Sequence, residues 1–204
     1  MITLLLLTAG DYPGLMLINQ ARAAYAKLPH FEMTIQHHND NGLFPGDYTQ
    51  RLVWKGKGKF TLVVTQGNPK TMTLSQGLKA PDYIAGGGKV NIKWPDGRRT
   101  SESLLNPTQM PGWEISGGFP LMMLEGTKSL SKVFDTSPGA AFQWKMGSKK
   151  TWNKMAVREV VGTMKTNRTT ARIYLEAKRP LIVGVVLEGG FNGWTRFYEF
   201  KLRP

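Results

Sequence analysis

The apolar positions along the chain change period near residue 30. From Pro13 to Leu28, the residues Leu17, Ile18, Ala21, Ala24, Tyr25 and Leu28 recur at the 3.6-residue spacing of an amphipathic helix, while Asn19, Arg22 and Ala26 face away. Pro13 suits the first turn, Asp11 can cap it and Pro29 ends it. The period then becomes two. Phe31, Met33 and Ile35 alternate with Glu32, Thr34 and Gln36, and a turn cluster follows at Asn39-Asp40-Asn41-Gly42. Strands are predicted over Tyr48 to Lys55, Lys59 to Gln66, Thr71 to Ser75, Asp82 to Ala85, Lys89 to Trp94 and Arg98 to Ser103. Gly86-Gly87-Gly88 reads as a tight hairpin turn.

Leu105 to Gly118 has little periodicity and reads as a loop. Phe119 to Phe134 reads as a second helix that Gly126 weakens. Strands resume over Ala141 to Met146, Lys154 to Lys165, Ala171 to Ala177, Leu181 to Glu188 and Trp194 to Leu202. Leu181 to Glu188 is apolar on both faces and should lie inside the sheet. Consecutive antiparallel strands joined by short turns must hide one face. The fold class is therefore α+β, mostly β: a strongly curved antiparallel sheet with an N-terminal helix and a helical insertion covering its apolar side. Residues 11–204 read as a single domain, without an internal repeat or a linker.

Composition narrows the function. The 204 residues include no Cys, which excludes disulfides, cysteine zinc sites, thiol nucleophiles and an acylated cysteine anchor. The formal net charge is +13, and a basic balance of that size calls for an anionic partner. Met1 to Gly10 has the short apolar run and small residues of the back half of a secretory signal, without its basic start. Residues 1–10 are thus expected to be a truncated signal segment and the protein to be exported to the periplasm or cell envelope. A buried first strand or an extended arm is the competing reading.

Catalytic chemistry finds little support. His37 and His38 are neighbours on a strand and point to opposite faces, so they cannot share a metal. With His30 they are expected to be surface or turn residues, and neither a metal nor a cofactor is expected. Glu159, Glu176, Glu188 and Glu199 lie on late strands beside Arg158, Arg172, Arg196 and Lys201, as cross-strand charge pairs would. No Gly-x-Ser-x-Gly elbow is present, and Gly86-Gly87-Gly88-Lys89 lacks phosphate-loop spacing. The protein is not expected to be an enzyme.

The positions expected to point inward are unusual. Trp54, Phe60, Leu62, Met72, Trp94, Phe142, Trp144, Met146, Trp194 and Phe200 would line an apolar interior, and methionine with aromatic rings makes adaptable walls. An ordinary core is the plain reading, and a lipid-accepting cavity is the other. Lys55, Lys57, Lys59, Arg98 and Arg99 sit on turns, where they would meet anionic headgroups or a membrane surface. Lysines on turns and edges also oppose aggregation.

Four stretches carry a resemblance to a known family. The run from Ile18 through Leu28-Pro29-His30-Phe31 to Ile35 is an amphipathic helix with an L-x-x-F step into the first strand. Leu52 to Leu62 has a basic turn before an aromatic-led strand. Tyr83 to Gly97 is similar to a D-G-x-x-v-w-x-y hairpin, and Ala171 to Val186 resembles a late strand pair with Arg179-Pro180-Leu181 at its turn. Together they resemble the LolA/LolB superfamily of periplasmic lipoprotein carriers, which includes RseB-type sensor domains and mycobacterial lipid carriers. The chain departs from that pattern at Gly86, at Glu176-Ala177, and at Lys55-Gly56-Lys57, which lacks the Arg-Pro of the carrier branch.

The resemblance implies an open, incomplete β-barrel closed by helices over an apolar cavity. It implies a non-catalytic carrier or sensor, monomeric, that binds lipid or lipoprotein acyl chains. The alternatives are an envelope module of the same fold that docks a membrane-anchored partner, and a basic polyanion binder. Specific nucleic-acid recognition is not expected.

Overall fold

The computed structural model describes residues 13–40, 46–56, 59–67, 82–103, 142–164, 169–189 and 192–202. One helix, α1 (Pro13–Ala26), precedes β1 (Phe31–Asn39), β2 (Gly46–Trp54), β3 (Phe60–Gly67), β4 (Asp82–Gly86), β5 (Lys89–Lys93) and β6 (Arg99–Ser103). Then come β7 (Phe142–Trp152), β8 (Met155–Met164), β9 (Thr170–Glu176), β10 (Ile182–Glu188) and β11 (Gly193–Leu202). The sequence-predicted segments Met1–Gly10, Thr71–Ser75 and Phe119–Phe134 lie outside the described residues, as do Lys57 and Met72.

All eleven strands form one antiparallel sheet in the order β6-β5-β4-β3-β2-β1-β11-β10-β9-β8-β7. The sheet does not close, since β6 and β7 are its two edges. The alternation of buried and half-buried residues along β1 is the period-two pattern read from the sequence, carried to Asn39. The two-residue turn between β4 and β5 has positive φ at both Gly87 and Gly88, the backbone that side chains resist and glycine adopts. β10 lies between β9 and β11 and is buried on both faces.

Helix α1 buries Leu17, Ile18, Ala21 and Tyr25 and exposes Asn19 and Arg22. Its N-terminal turn rests on edge strand β7, where a Cβ on Gly14 would come within 2.8 Å of the Lys145 carbonyl. At its other end the Ile182 N–H donates to the Tyr25 hydroxyl at 3.2 Å. The helix is therefore held at two points over the β7–β10 wing. One hydrophobic core joins it to inward residues of both wings, from Ile92 on β5 to Val160 on β8. The face that packs on α1 is the concave one.

Four irregularities set which side chains reach that face, one of them a shift between β2 and β3 at Thr49 and Gln50. β7 runs on past Met146 to Trp152, with a bulge between Met146 and Lys149. β10 has a shift between Ile182 and Gly184. On β11, Glu199 has a φ of 53° opposite a shift in β1, which adds one residue and changes the phase of alternation.

Candidate functional site: the two faces of the sheet

Cross-strand register turns isolated apolar residues into rows. Phe31, Trp54, Phe60, Ala85 and Val90 are successive partners across β1 to β5. Phe200 packs on Phe31 with ring centroids 5.0 Å apart, Phe31 on Trp54 at 6.3 Å and Trp54 on Phe60 at 6.3 Å. Four adjacent strands, β11, β1, β2 and β3, thus carry one band of near-parallel rings. The next row is Met33, Leu52, Leu62, Tyr83 and Ile92, all buried. Each such pair adds a few tenths to about 1 kcal/mol over a pair of alanines, so the band stiffens this end of the face.

Further along the same strands the face turns polar. His37 is buried, with 1% of its surface exposed. Its Nε2 lies 2.9 Å from Gln50 Oε1. A carboxamide oxygen only accepts, so the proton sits on Nε2. Nδ1 then accepts from the Thr195 hydroxyl at 3.3 Å, and the ring stacks on Tyr48 with centroids 4.2 Å apart. Burial pushes the His37 pKa down to about 4, against the raising effect of Gln50, so the ring is neutral at pH 7. The Tyr48 hydroxyl is pushed up by burial.

The convex face of the other wing carries a second polar cluster, and this one is charged. Glu159 is 4% exposed. Its carboxylate lies 2.6 Å from Lys150 Nζ and 3.4 Å from Arg172 Nη1, and it accepts from the Ser148 N–H at 3.4 Å. Burial raises the Glu159 pKa, but Lys150, the Ser148 N–H and Arg172 more than offset it, and the group sits below its ordinary value. Gly147 leaves the space: a Cβ there would overlap the Glu159 side chain. Arg172 also reaches Glu188 at 3.0 Å. Lys150 lies 4.8 Å from the centre of the Tyr174 ring, which packs on Trp152. Val157, Tyr174 and Val183 form a small apolar cluster around it.

The sequence-predicted site residues divide accordingly. Trp54, Phe60 and Leu62 are buried in the rows just described, and Phe200 is partly buried beside them. Trp94 is half-buried against Tyr48 and Val64. Trp144 is buried flat on Gly162 of β8. Met146 shares that face but is 48% exposed, because an edge strand has a neighbour on one side only. The side chain of Phe142 lies outside the described residues.

Trp194 departs from expectation. It pairs with His38, stacks on it at 5.5 Å and faces the convex side. Trp194 and Phe200 are an even number of residues apart, so regular alternation would put them on one face. The extra residue at Glu199 separates them.

The basic positions are also separated. Lys55 and Lys59 are exposed around the β2–β3 turn, at the aromatic end of the sheet. Arg98 and Arg99 are exposed at the β5–β6 turn, which lies at the other end. Arg98 pairs with Asp96 at 2.7 Å and lies over Trp94 at 5.4 Å.

One histidine differs from expectation as well. His37 is buried rather than a surface residue, whereas His30 is exposed as expected and His38 faces out, held by Asp47 at 2.7 Å and Asp40 at 3.3 Å. Among the described residues, no three His, Cys, Asp or Glu side chains converge as metal ligands. Two participants escaped the sequence reading altogether. Gln50 carried no motif, and Lys150 lay beyond the expected end of its strand at Met146. The only available signal was a polar residue in the inward phase of an apolar strand.

No family model matches the chain, and the curated proteins contain no sequence match to it. Solved structures do share its fold. MucB superposes with a TM-score of 0.56 at 10% identity, over 96% of this chain and 60% of MucB. MucB in the Pseudomonas aeruginosa MucA/MucB complex gives 0.55 at 10% identity, over 92% of this chain and 56% of that one. LprF from Mycobacterium bovis gives 0.51 at 12% identity, over 94% and 96%. The chain therefore spans about three fifths of the length of MucB and almost all of LprF. The unclosed antiparallel sheet and its N-terminal helix, matched along nearly their whole length by MucB and LprF, give this chain the LolA/LolB-like fold.

Proposed function

We propose that this chain is a non-catalytic protein of the cell envelope that holds lipid or lipoprotein acyl chains against its concave face, as a carrier or lipid sensor. The observation that carries the reading is the band Phe200, Phe31, Trp54 and Phe60, which runs into aliphatic rows on one face of a sheet that stays unclosed. Aromatic rings accept hydrocarbon of varied length without a fixed partner geometry. The exposed Lys55 and Lys59 at the aromatic end, and Arg98 and Arg99 at the other, supply positive charge for anionic headgroups or a membrane surface. Among the described residues, no helix is long and apolar enough to cross a membrane. The protein would act as an exported monomer that meets the bilayer from outside.

A second reading has its own support. MucB has been solved bound to MucA, so this fold can present a surface to a protein partner, and the present chain would do so as a regulatory module.

Native mass spectrometry of the full chain expressed with an export signal, followed by solvent extraction, separates these readings. Stoichiometric lipid is the expected result. An empty protein that retains an envelope partner would favour the second reading. Salt-sensitive binding to heparin or DNA, with no lipid, would overturn both.

A further inference from the structure

The two ends of the strands differ in what they expose. The β2–β3, β4–β5, β7–β8 and β9–β10 turns lie at the end that holds the aromatic band, with the α1–β1 link and the last residues of β11. Each of the four turns presents an exposed lysine: Lys55, Lys89, Lys154 and Lys178. The link and the strand end add Lys27 and Lys201. Among the described side chains, the acids of this rim, Glu32 and Glu176, pair with Arg51 and Arg179. The other end of the strands exposes carboxylates, Asp40, Asp47, Asp96 and Glu188, among its cations.

We propose that the lysine-bearing rim is a docking surface for an anionic bilayer, so that the concave face meets the membrane by its aromatic end. This deepens the reading above and rests on the meeting with a membrane that it contains.

Two features favour a bilayer over a single polyanionic chain. The lysines are spread along the rim from the β4–β5 turn to the β7–β8 turn, which suits a surface of diffuse negative charge. Apolar side chains stand among them: Leu202, 56% exposed and in register with Phe31, and Met155, 38% exposed beside Lys154. A bilayer accepts both charge and hydrocarbon, whereas a soluble polyanion leaves the hydrocarbon in water. Nor do these charges serve the fold. Lys154 has a φ of 64° in a two-residue turn, at the position where glycine is preferred. Lys149 and Arg158, both exposed, face each other across β7 and β8, where like charges repel. A negative surface relieves that repulsion.

Co-sedimentation of the full chain with vesicles tests the proposal. Vesicles of equal parts phosphatidylglycerol and phosphatidylcholine should bind the wild type, and phosphatidylcholine alone should not. Lys89→Gln combined with Lys178→Gln should weaken binding about thirtyfold. Lys93→Gln combined with Arg99→Gln removes the same charge at the other end and should change binding by no more than about twofold. An equal loss in both pairs would overturn the proposal. Because the chain has no Cys, an environment-sensitive dye can be placed on Met155→Cys or on Asp96→Cys. A blue shift on vesicles is expected for Met155→Cys only, and a shift for Asp96→Cys would overturn the orientation. A wild type that ignores anionic vesicles would overturn the proposal, and lipid retained in native mass spectrometry would then leave the carrier reading standing. Heparin binding without vesicle binding would overturn it in favour of a soluble polyanion.

Discussion

Two buried polar clusters occupy opposite faces of one sheet and are built on opposite terms. On the convex side, Glu159 is ionised and closed off: Lys150, Arg172 and the Ser148 N–H satisfy it, and Gly147 is absent of side chain to make room. On the concave side, His37, Gln50 and Thr195 are neutral and joined to one another by hydrogen bonds. A closed charged cluster fixes how β7, β8 and β9 pair, and it has no capacity to bind anything else. A neutral cluster in an apolar wall has no charge to balance, and it persists only while the His37 ring stays unprotonated. The difference separates a polar cluster held by opposite charges from one held by keeping a buried ring neutral.

Removing one partner from the charged cluster should give the largest effect. Lys150→Met leaves Glu159 with its weaker contacts and should cost about 3 kcal/mol in urea unfolding at pH 7. That cost should shrink as acid protonates the carboxylate. A loss within the error of the measurement would mean that the cluster is more open to water than its geometry shows.

The neutral cluster should be read by pH instead. The folded pKa of His37 is depressed, from 6.5 to about 4. The unfolded chain therefore binds the proton first, and the stability due to a neutral ring is complete above 6.5 and lost as pH falls toward 4. The loss amounts to as much as about 3 kcal/mol. His37→Gln should flatten that slope between pH 6.5 and 4.5, and a slope that persists in the variant would assign it to other groups.

Gln50→Met should cost about 1–2 kcal/mol, from the His37 N–H left without an acceptor. Thermal unfolding at pH 7 measures it, and a stabilised variant would show that the ring finds another partner.

The smallest effect should come from the next residue along. His38 has its pKa raised by Asp47 and is well exposed. Its contribution is present at low pH and fades as pH rises through the folded value, the reverse of His37. His38→Ala should change stability by no more than about 0.5 kcal/mol. A pH dependence of the same sign for both histidines would break the distinction between the faces.

Much of this contrast was readable from alternation alone. Phe31, Met33 and Ile35 identify the inward phase of β1, and His37 continues it. Adjacent histidines had to part, and the phase that places His37 inside was there to read, although a surface position was expected for both. The pairing of consecutive strands and the Gly87-Gly88 turn follow from short-range patterns of the same kind, whereas the β1–β11 pairing does not. What was not legible depended on single inserted residues. Glu199 moves Trp194 and Phe200 to different faces although their spacing is even. Gly147 and Ser148 look like the end of a strand, yet form a bulge that lets β7 continue to Lys150 and Trp152. A bulge leaves no signature in hydrophobic period, because its stabilising partner, here Glu159, lies on another strand.

The pairing of β1 with β11 has a consequence for how the protein is made. These strands are the middle of the sheet, with five strands beyond β1 and four beyond β11. Thr34 on one donates to Glu199 on the other, 165 positions later. During synthesis, the wing from β1 to β6 can assemble as hairpins long before its central partner emerges. Until Gly193–Leu202 arrives, β1 is a bare edge bearing Phe31, Met33 and Ile35, open to any other extended chain. Closing so distant a contact is slow. The hazard for this molecule therefore lies in the delay before the seam is sewn, and a chaperone that shields β1 would protect it more than one that shields either finished edge.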